Sequence, residues 1–350
     1  MAETTRGCIL TSDRQTAIEE RQLREVGIKD AVIKVDYCGI CGSDLHAWSA
    51  GGAVYPYGTL MGHEATGTIA SVGAEVTTMK VGDRVAINGF TPCGECVACR
   101  NGLPNACANN MIRTIGQTPE LDGAFADYIW LPEVEVTAVT MPDSLSSEEG
   151  AFTEPAATVV HAIRISRFQV GDTVAVVGAG PIGLLCVSAL QAAGAGRVIV
   201  SQSPGPRAQL AMKFGADAVI NPRDEEHPVG EQIRELTDGG ADVVIECAGA
   251  PPALQQSIDL ARPGGQVILV GVNERPTPIT PTSLMFSEID VKGSLAWDHK
   301  DFRIAVDFMA SGQVDVKPLL SDIITLNDIQ QQGFERLKED KSLIKVLVKP

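Results

Sequence analysis

Residues Val174-Ala175-Val176-Val177-Gly178-Ala179-Gly180-Pro181-Ile182-Gly183 place a buried-strand pattern, a G-x-G-x-x-G turn and a helix opening in immediate succession. Few ten-residue segments restrict a fold so tightly. Gly178 allows the tight turn, Gly180 lets the backbone approach a pyrophosphate, and Gly183 lets the helix pack on the strand. The helix mouth at Pro181 and Ile182 then offers phosphate charge the main-chain N–H groups from Ile182 onward, Pro181 having none. Around this turn the pattern alternates: strands over 173–177, 197–200, 242–246 and 266–270, helices over 182–193 and 207–214. Alternation of this kind requires parallel crossovers, so an α/β fold with a doubly wound, Rossmann-type parallel sheet is expected over 155–293.

The flanking sequence has a different grammar. Short β-rich segments at 31–35, 65–72 and 84–87, broken by Gly and Pro, suggest a compact β-barrel domain over 1–154. Beyond 293 the pattern is mixed, with helices expected at 302–310 and 326–337 and a strand at 343–348. This tail, 294–350, is expected to rejoin the first domain.

Within the first domain, Cys93, Cys96, Cys99 and Cys107 follow the spacing C-x₂-C-x₂-C-x₇-C in a short polar lobe, about residues 90–110. Four thiolates can close on one Zn²⁺ at about 2.3 Å without distorting the backbone, which is the requirement of a structural zinc site. Disulfides or unrelated thiols are the competing readings. Arg6, Asp13, Arg14, Glu19, Glu20, Arg21 and Arg24 interrupt the first 33 residues, so no apolar secretory stretch opens this sequence to favour disulfides. No later apolar run approaches the roughly 18 residues of a membrane span. A soluble, cytoplasmic protein is expected. A formal net charge of −16 disfavours nucleic acid and anionic membranes as partners, leaving a small molecule.

The second expected strand ends in Ser201-Gln202-Ser203, where dinucleotide sheets usually carry an acid for the adenosine ribose. Gln202 can bond a ribose but lacks the charge that repels a 2′-phosphate, while Ser201, Ser203 and Arg207 could donate to one. NADP(H) is therefore favoured and NAD(H) stays open, since Arg207 could equally be a solvated helix residue. By position at strand ends, Cys247, Val270 and Val272 should border the cofactor crevice, Cys247 without reacting. Cys8, Cys38 and Cys186 read as small buried apolar residues.

Further candidates lie apart in sequence: Cys41-Gly42-Ser43-Asp44-Leu45-His46, Gly62-His63-Glu64 and Thr153-Glu154-Pro155. Alone each is weak, and Glu154 could simply cap a helix. Together with the cysteine lobe and the glycine turn they make the chain resemble, along nearly its whole length, the zinc-dependent medium-chain alcohol dehydrogenases. The polyol branch, sorbitol and 2,3-butanediol dehydrogenases, is nearest: Glu154-Pro155 before His161-Ala162, Gly178 to Leu184, and Gly333-Phe334-Glu335-Arg336-Leu337 before Ile344 to Val348 carry that resemblance.

The resemblance implies a GroES-like catalytic domain, a Rossmann domain inserted before the tail, and two zinc ions per subunit, one structural and one catalytic. Cys41 and His63 would ligate the catalytic zinc. Glu154, where classical members have a cysteine, would ligate it directly or through water. Glu64 would enter the shell during ligand exchange, and Asp44 would orient the His63 ring. Ser43 would accept the substrate proton and His46 pass it to solvent, while Thr158 would pack behind the nicotinamide. The reaction implied is hydride transfer between a secondary alcohol or vicinal diol, or the corresponding ketone, and NAD(P). Family members form dimers or tetramers, so a homo-oligomer is expected, a tetramer before a dimer. Two rivals use the same scaffold: a zinc-free quinone or enone reductase, and a non-catalytic NADPH-binding protein. Trp48, Phe90 and Trp297 either shape a substrate pocket or pack in the core.

Overall fold

The computed structural model describes residues 3–350. Two compact units emerge: Met1–Glu154 with Asp298–Ser311 and Val316–Pro350, and Pro155–Trp297 with Gly312–Asp315. The expected divisions after 154 and 293 compare with breaks after Glu154 and after Trp297. Among the described residues no helix is long and apolar enough to cross a membrane.

The first unit begins with an antiparallel hairpin, β1 (Thr4–Ser12) and β2 (Gln15–Gln22), turned through Arg14 at φ 57°. Neither strand was legible as one in the sequence, because β2 reads Gln-Thr-Ala-Ile-Glu-Glu-Arg-Gln and is mostly polar. The main sheet carries β3 (Ala31–Gly39), β4 (Glu64–Val72), β5 (Arg84–Ile87), β6 (Tyr128–Leu131) and β7 (Ala138–Thr140). The chain's return adds Leu320–Thr325 and Lys345–Lys349, the latter antiparallel to β3. Alternating apolar positions such as Ile33, Ile69, Val85 and Ile87 are at most 1% exposed and fill the core with Phe125 and Phe334. That alternation is the signature of a half-buried sheet.

The expected helix over 326–337 is not one α-helix. A 3₁₀ turn, Leu326–Asp328, leads into a π-helical segment, Ile329–Glu335, and a closing α-turn, Arg336–Glu339. Tertiary contacts override local preference here. The Gln330 side chain accepts from the Thr16 N–H and hydroxyl at 3.1 and 2.8 Å and donates to the Arg14 carbonyl, while Phe334 stacks on Trp48 with centroids 5.8 Å apart. Gly333 weakens the α alternative.

The second unit is a six-stranded parallel sheet: β8 (Thr173–Val177), β9 (Arg197–Ser201), β10 (Ala218–Ile220), β11 (Ala241–Glu246), β12 (Ala261–Leu269) and β13 (Asp290–Gly293). Its order is β10-β9-β8-β11-β12-β13. Val174 to Val177 are at most 2% exposed, as expected of a strand covered on both faces. The strand order reverses between β8 and β11, so the loops after them, at Gly178 and Cys247, flank the crevice where such sheets bind ligands.

Candidate active site

One end of the first unit's sheet gathers most of the dispersed candidates. Register pairs Gly39 with Glu64 between β3 and β4, and Leu347 with Gly39 from the returning strand, so Cys41, His63, Glu64 and Lys345 arrive together. Gly39 leaves room there for the Glu64 carboxylate: a Cβ would sit 2.4 Å from Glu64 Oε2 and displace it. The helix Gly42–Ala50 starts at Cys41, whose main-chain N–H donates to Asp44 Oδ2 at 3.0 Å. The same Asp44 presents Oδ1 3.4 Å from His63 Nδ1, and both atoms are buried without a close hydrogen bond. Ser43 Oγ lies 3.4 Å from His63 Nε2. His46 follows Ser43 by three positions on the same helix, hence on its face.

Ionisable groups crowd together here in a buried setting. Burial raises the Cys41 thiol, with Glu64 adding to the effect and His63 opposing it. Burial and the neighbouring Glu64 push the Glu154 carboxyl up to about 8, and Glu154 is 7% exposed. Burial also disfavours the His63 imidazolium, but Asp44 and the Cys41 thiol outweigh it and lift the ring well above its usual value. A thiolate and a carboxylate held in low dielectric are costly unless a cation joins them, and a neutral imidazole offers that cation a lone pair. The donor set therefore fits a divalent zinc. Among the described residues, Cys41, His63 and Glu154 do not close as tightly as the cysteine lobe does, whose four sulfurs all lie within 4.8 Å of one another.

Two residues at this site carried no sequence signal. Lys345, 3% exposed, binds both oxygens of Glu64 at 2.5 and 2.8 Å and donates to the Ile40 carbonyl at 3.1 Å. Glu64, expected as a transient ligand, is thus the counter-ion of a lysine nearly 300 residues away, which only the returning strand brings near. Tyr55, 3% exposed, has its phenol pushed up to about 12 by burial, with His63, Asp44 and Ser43 among its neighbours. Trp48 and Phe90 are 3% and 7% exposed, and Trp48 belongs to the core beside Phe334.

In the cysteine lobe, main-chain N–H groups point at sulfur: Cys96 N to Cys93 Sγ at 3.4 Å, Cys99 N to Cys96 Sγ at 3.5 Å, and Cys93 N and Asn109 N to Cys107 Sγ at 3.4 Å. Such donors stabilise thiolates. Those of Ala108 and Cys99 pull Cys96 down to about 6. Cys93 and Cys99 sulfurs are 4.0 Å apart, close to the edge of a tetrahedron with bonds of about 2.3 Å.

The crevice of the second unit has the form the glycines predict. Gly178 has φ 93°, and a Cβ on Gly183 would sit 1.8 Å from the Gly178 carbonyl. A Cβ on Gly180 would meet nothing within 4 Å, leaving open space at the mouth of the helix Pro181–Ala193. Gln202 Oε1 accepts from Ala179 N at 2.9 Å, so this side chain braces the turn from β9. Ser201 Oγ and Arg207 Nε are buried without a partner, and burial lowers the Arg207 pKa. Arg207 is therefore not a freely solvated residue. Ser203 is half-buried beside Gln202, and Thr158 is half-buried on the helix Thr153–Ile165. Cys247 Sγ lies 3.8 Å from Cys186 Sγ. Val270 is half-buried, and Val272 is 78% exposed on the loop. Sequence reasoning passed over Glu246, which is 4% exposed and accepts from Ala248 N and Gly249 N at 2.7 and 2.8 Å, shaping the loop after β11.

Comparison with known proteins matches residues 27–143 to the alcohol dehydrogenase GroES-like domain and residues 181–311 to the zinc-binding dehydrogenase domain. The chain belongs to the zinc-dependent medium-chain dehydrogenases. Sorbitol dehydrogenase of Bacillus subtilis is 36% identical to this dehydrogenase, over 99% of this chain and 98% of its own. The crystal structure of 2R,3R-butanediol dehydrogenase from Bacillus subtilis superposes with a TM-score of 0.90 at 32% identity, covering 99% of both chains. A zinc-binding dehydrogenase from Sinorhizobium meliloti, solved bound to NADP, gives 0.88 at 32% identity, covering 100% of both. The GroES-like and Rossmann halves, the zinc-dehydrogenase character and the use of NAD(P) follow from this membership.

Proposed function

We propose that this dehydrogenase oxidises a secondary alcohol or vicinal diol, with polyols as the favoured class, and reduces the corresponding ketone. The observation that carries the proposal is that half-buried Cys41 and buried His63 and Glu154 are electrostatic neighbours at one sheet end, with Ser43 beside His63. Catalytic zinc would be held by Cys41 Sγ, His63 Nε2 and the Glu154 carboxylate, and a second zinc by the four lobe cysteines. When bound, the catalytic ion supplies a Lewis acid at the substrate oxygen and the nicotinamide exchanges the hydride. Asp44 Oδ1, 3.4 Å from His63 Nδ1, would favour the ring proton there and leave Nε2 for the metal. Ser43 Oγ takes the substrate proton, and His46, three residues along the helix, passes it outward. Lys345 neutralises Glu64 and keeps a second carboxylate charge from competing with Glu154.

NADP(H) is the favoured cofactor because the orphaned Ser201 hydroxyl and Arg207 Nε would both gain a partner in a 2′-phosphate. A homo-oligomer is supported by the four exposed residues of edge strand β13 and by exposed Phe286 and Leu295, while the order of tetramer before dimer rests on the family resemblance alone. Nine free cysteines suit a cytoplasmic setting. The test is a spectrophotometric screen of diols, polyols and cyclic secondary alcohols with both nicotinamides, on wild type and on Cys41→Ala and His63→Ala. Wild-type turnover in either variant would defeat the proposal.

A further inference from the structure

The first unit has a concave feature at the opposite end of β3 from Cys41. A hollow of about 280 Å³ is lined by Arg24, Thr91, Arg113, Leu121, Trp130 and Pro132, among others. Trp130 pairs with Val32 near the start of β3, whereas Cys41 follows Gly39 at its end. Seven residues of strand separate the two ends, roughly 23 Å.

The polar groups around the hollow are predominantly donors. Thr91 is 5% exposed, and its hydroxyl is buried without a hydrogen-bond partner. The Trp130 indole N–H is also buried and unpartnered. Arg113 uses Nε on the Thr91 carbonyl at 2.6 Å, leaving the rest of its guanidinium fork unengaged among the described residues. Arg24 stacks over the Trp130 ring at 4.9 Å and donates to the Glu120 carbonyl. Two guanidiniums and the Glu120 carboxylate line the hollow, and Asp122, which Arg24 also faces, is paired with Arg21, so the hollow keeps net positive charge on a chain whose formal charge is −16.

Buried donors are normally satisfied, and two orphans at one hollow beside two arginines call for an acceptor-rich, anionic occupant. The remaining walls are apolar: Leu121, Pro132 and the indole face. A bare hydrated anion gains nothing from such walls, whereas an organic body does. We infer that this hollow is a binding site for a small organic carboxylate, separate from the catalytic site. Its carboxylate would accept from the Arg113 fork and from the Thr91 hydroxyl or the indole N–H, and its apolar part would lie against Leu121 and Pro132.

Benzoate serves as the probe, with inorganic phosphate as the bare-anion arm, each titrated calorimetrically into zinc-loaded full-length protein. Saturable benzoate binding is expected, weakened about tenfold or more in Arg113→Gln, as loss of a charge-assisted hydrogen bond predicts. Exposed Arg24→Gln, which carries little folding risk, should weaken it in the same direction, and neither variant should change kcat/KM for alcohol oxidation. No saturable binding, or an isotherm unchanged in both variants, overturns the proposal, the latter because it would place benzoate elsewhere. Phosphate binding as tight as benzoate overturns the organic class, and benzoate inhibition competitive with the alcohol that persists in both variants overturns the separate site.

Discussion

Replacing Lys345 by Met tests the least anticipated feature of the active-site end. The ammonium is 3% exposed, its Glu64 partner 1%, and the contacts are 2.5 and 2.8 Å. Burial alone would lower the Lys345 pKa from 10.5, but Glu64 outweighs it and the net shift is upward. A raised lysine pKa contributes stability that is fully present below the unfolded value and is lost only as pH rises through the folded one. The whole effect is therefore available at about pH 7. Removing the cation leaves Glu64 buried and uncompensated, which costs about 3–5 kcal/mol, whereas replacing both partners by apolar groups is often near neutral. Urea unfolding followed by circular dichroism should rank Lys345→Met well below wild type and the double variant, Lys345→Met with Glu64→Leu, well above the single one. A loss under about 1 kcal/mol for the single variant, the scale of an exposed pair, or no recovery in the double variant, would refute the reasoning.

Cys96→Ser should lose one zinc per chain by elemental analysis and lower Tm, because the lobe's N–H groups are arranged around thiolates and structural zinc contributes folding free energy. Arg207→Ala should raise KM for NADP(H) about tenfold or more and leave NAD(H) nearly unchanged; equal effects on both cofactors would remove Arg207 from phosphate binding. The Thr78 hydroxyl, with the N–H groups of Thr77 and Thr78, holds the Glu135 carboxyl down to about 2. A depressed carboxyl pKa stabilises above its unfolded value and loses that contribution as pH falls towards the folded one. The Tm gap between wild type and Glu135→Gln should thus be open near neutral pH and close between pH 4.5 and about 2.

The sequence by itself determined the second unit's chemistry and most of its order, because strand, turn and helix there are local. The G-x-G-x-x-G spacing dictates the turn whatever surrounds it, and β8 falls at 173–177 in both pattern and structure. The cysteine lobe was equally legible, since its four cysteines span fifteen positions. Polar β2, the short β6 and β7, and the π-helical segment at Ile329–Glu335 were not, because pairing and packing decide them against weak local preference. The active-site end stands between these cases. Cys41, His63 and Glu154 could be nominated from residue type and family resemblance, but whether their segments meet depends on the register of β3 with β4 and on the returning strand. Only that long-range pairing sets Lys345 against Glu64, and it does so because a buried carboxylate must find a cation wherever the chain can supply one.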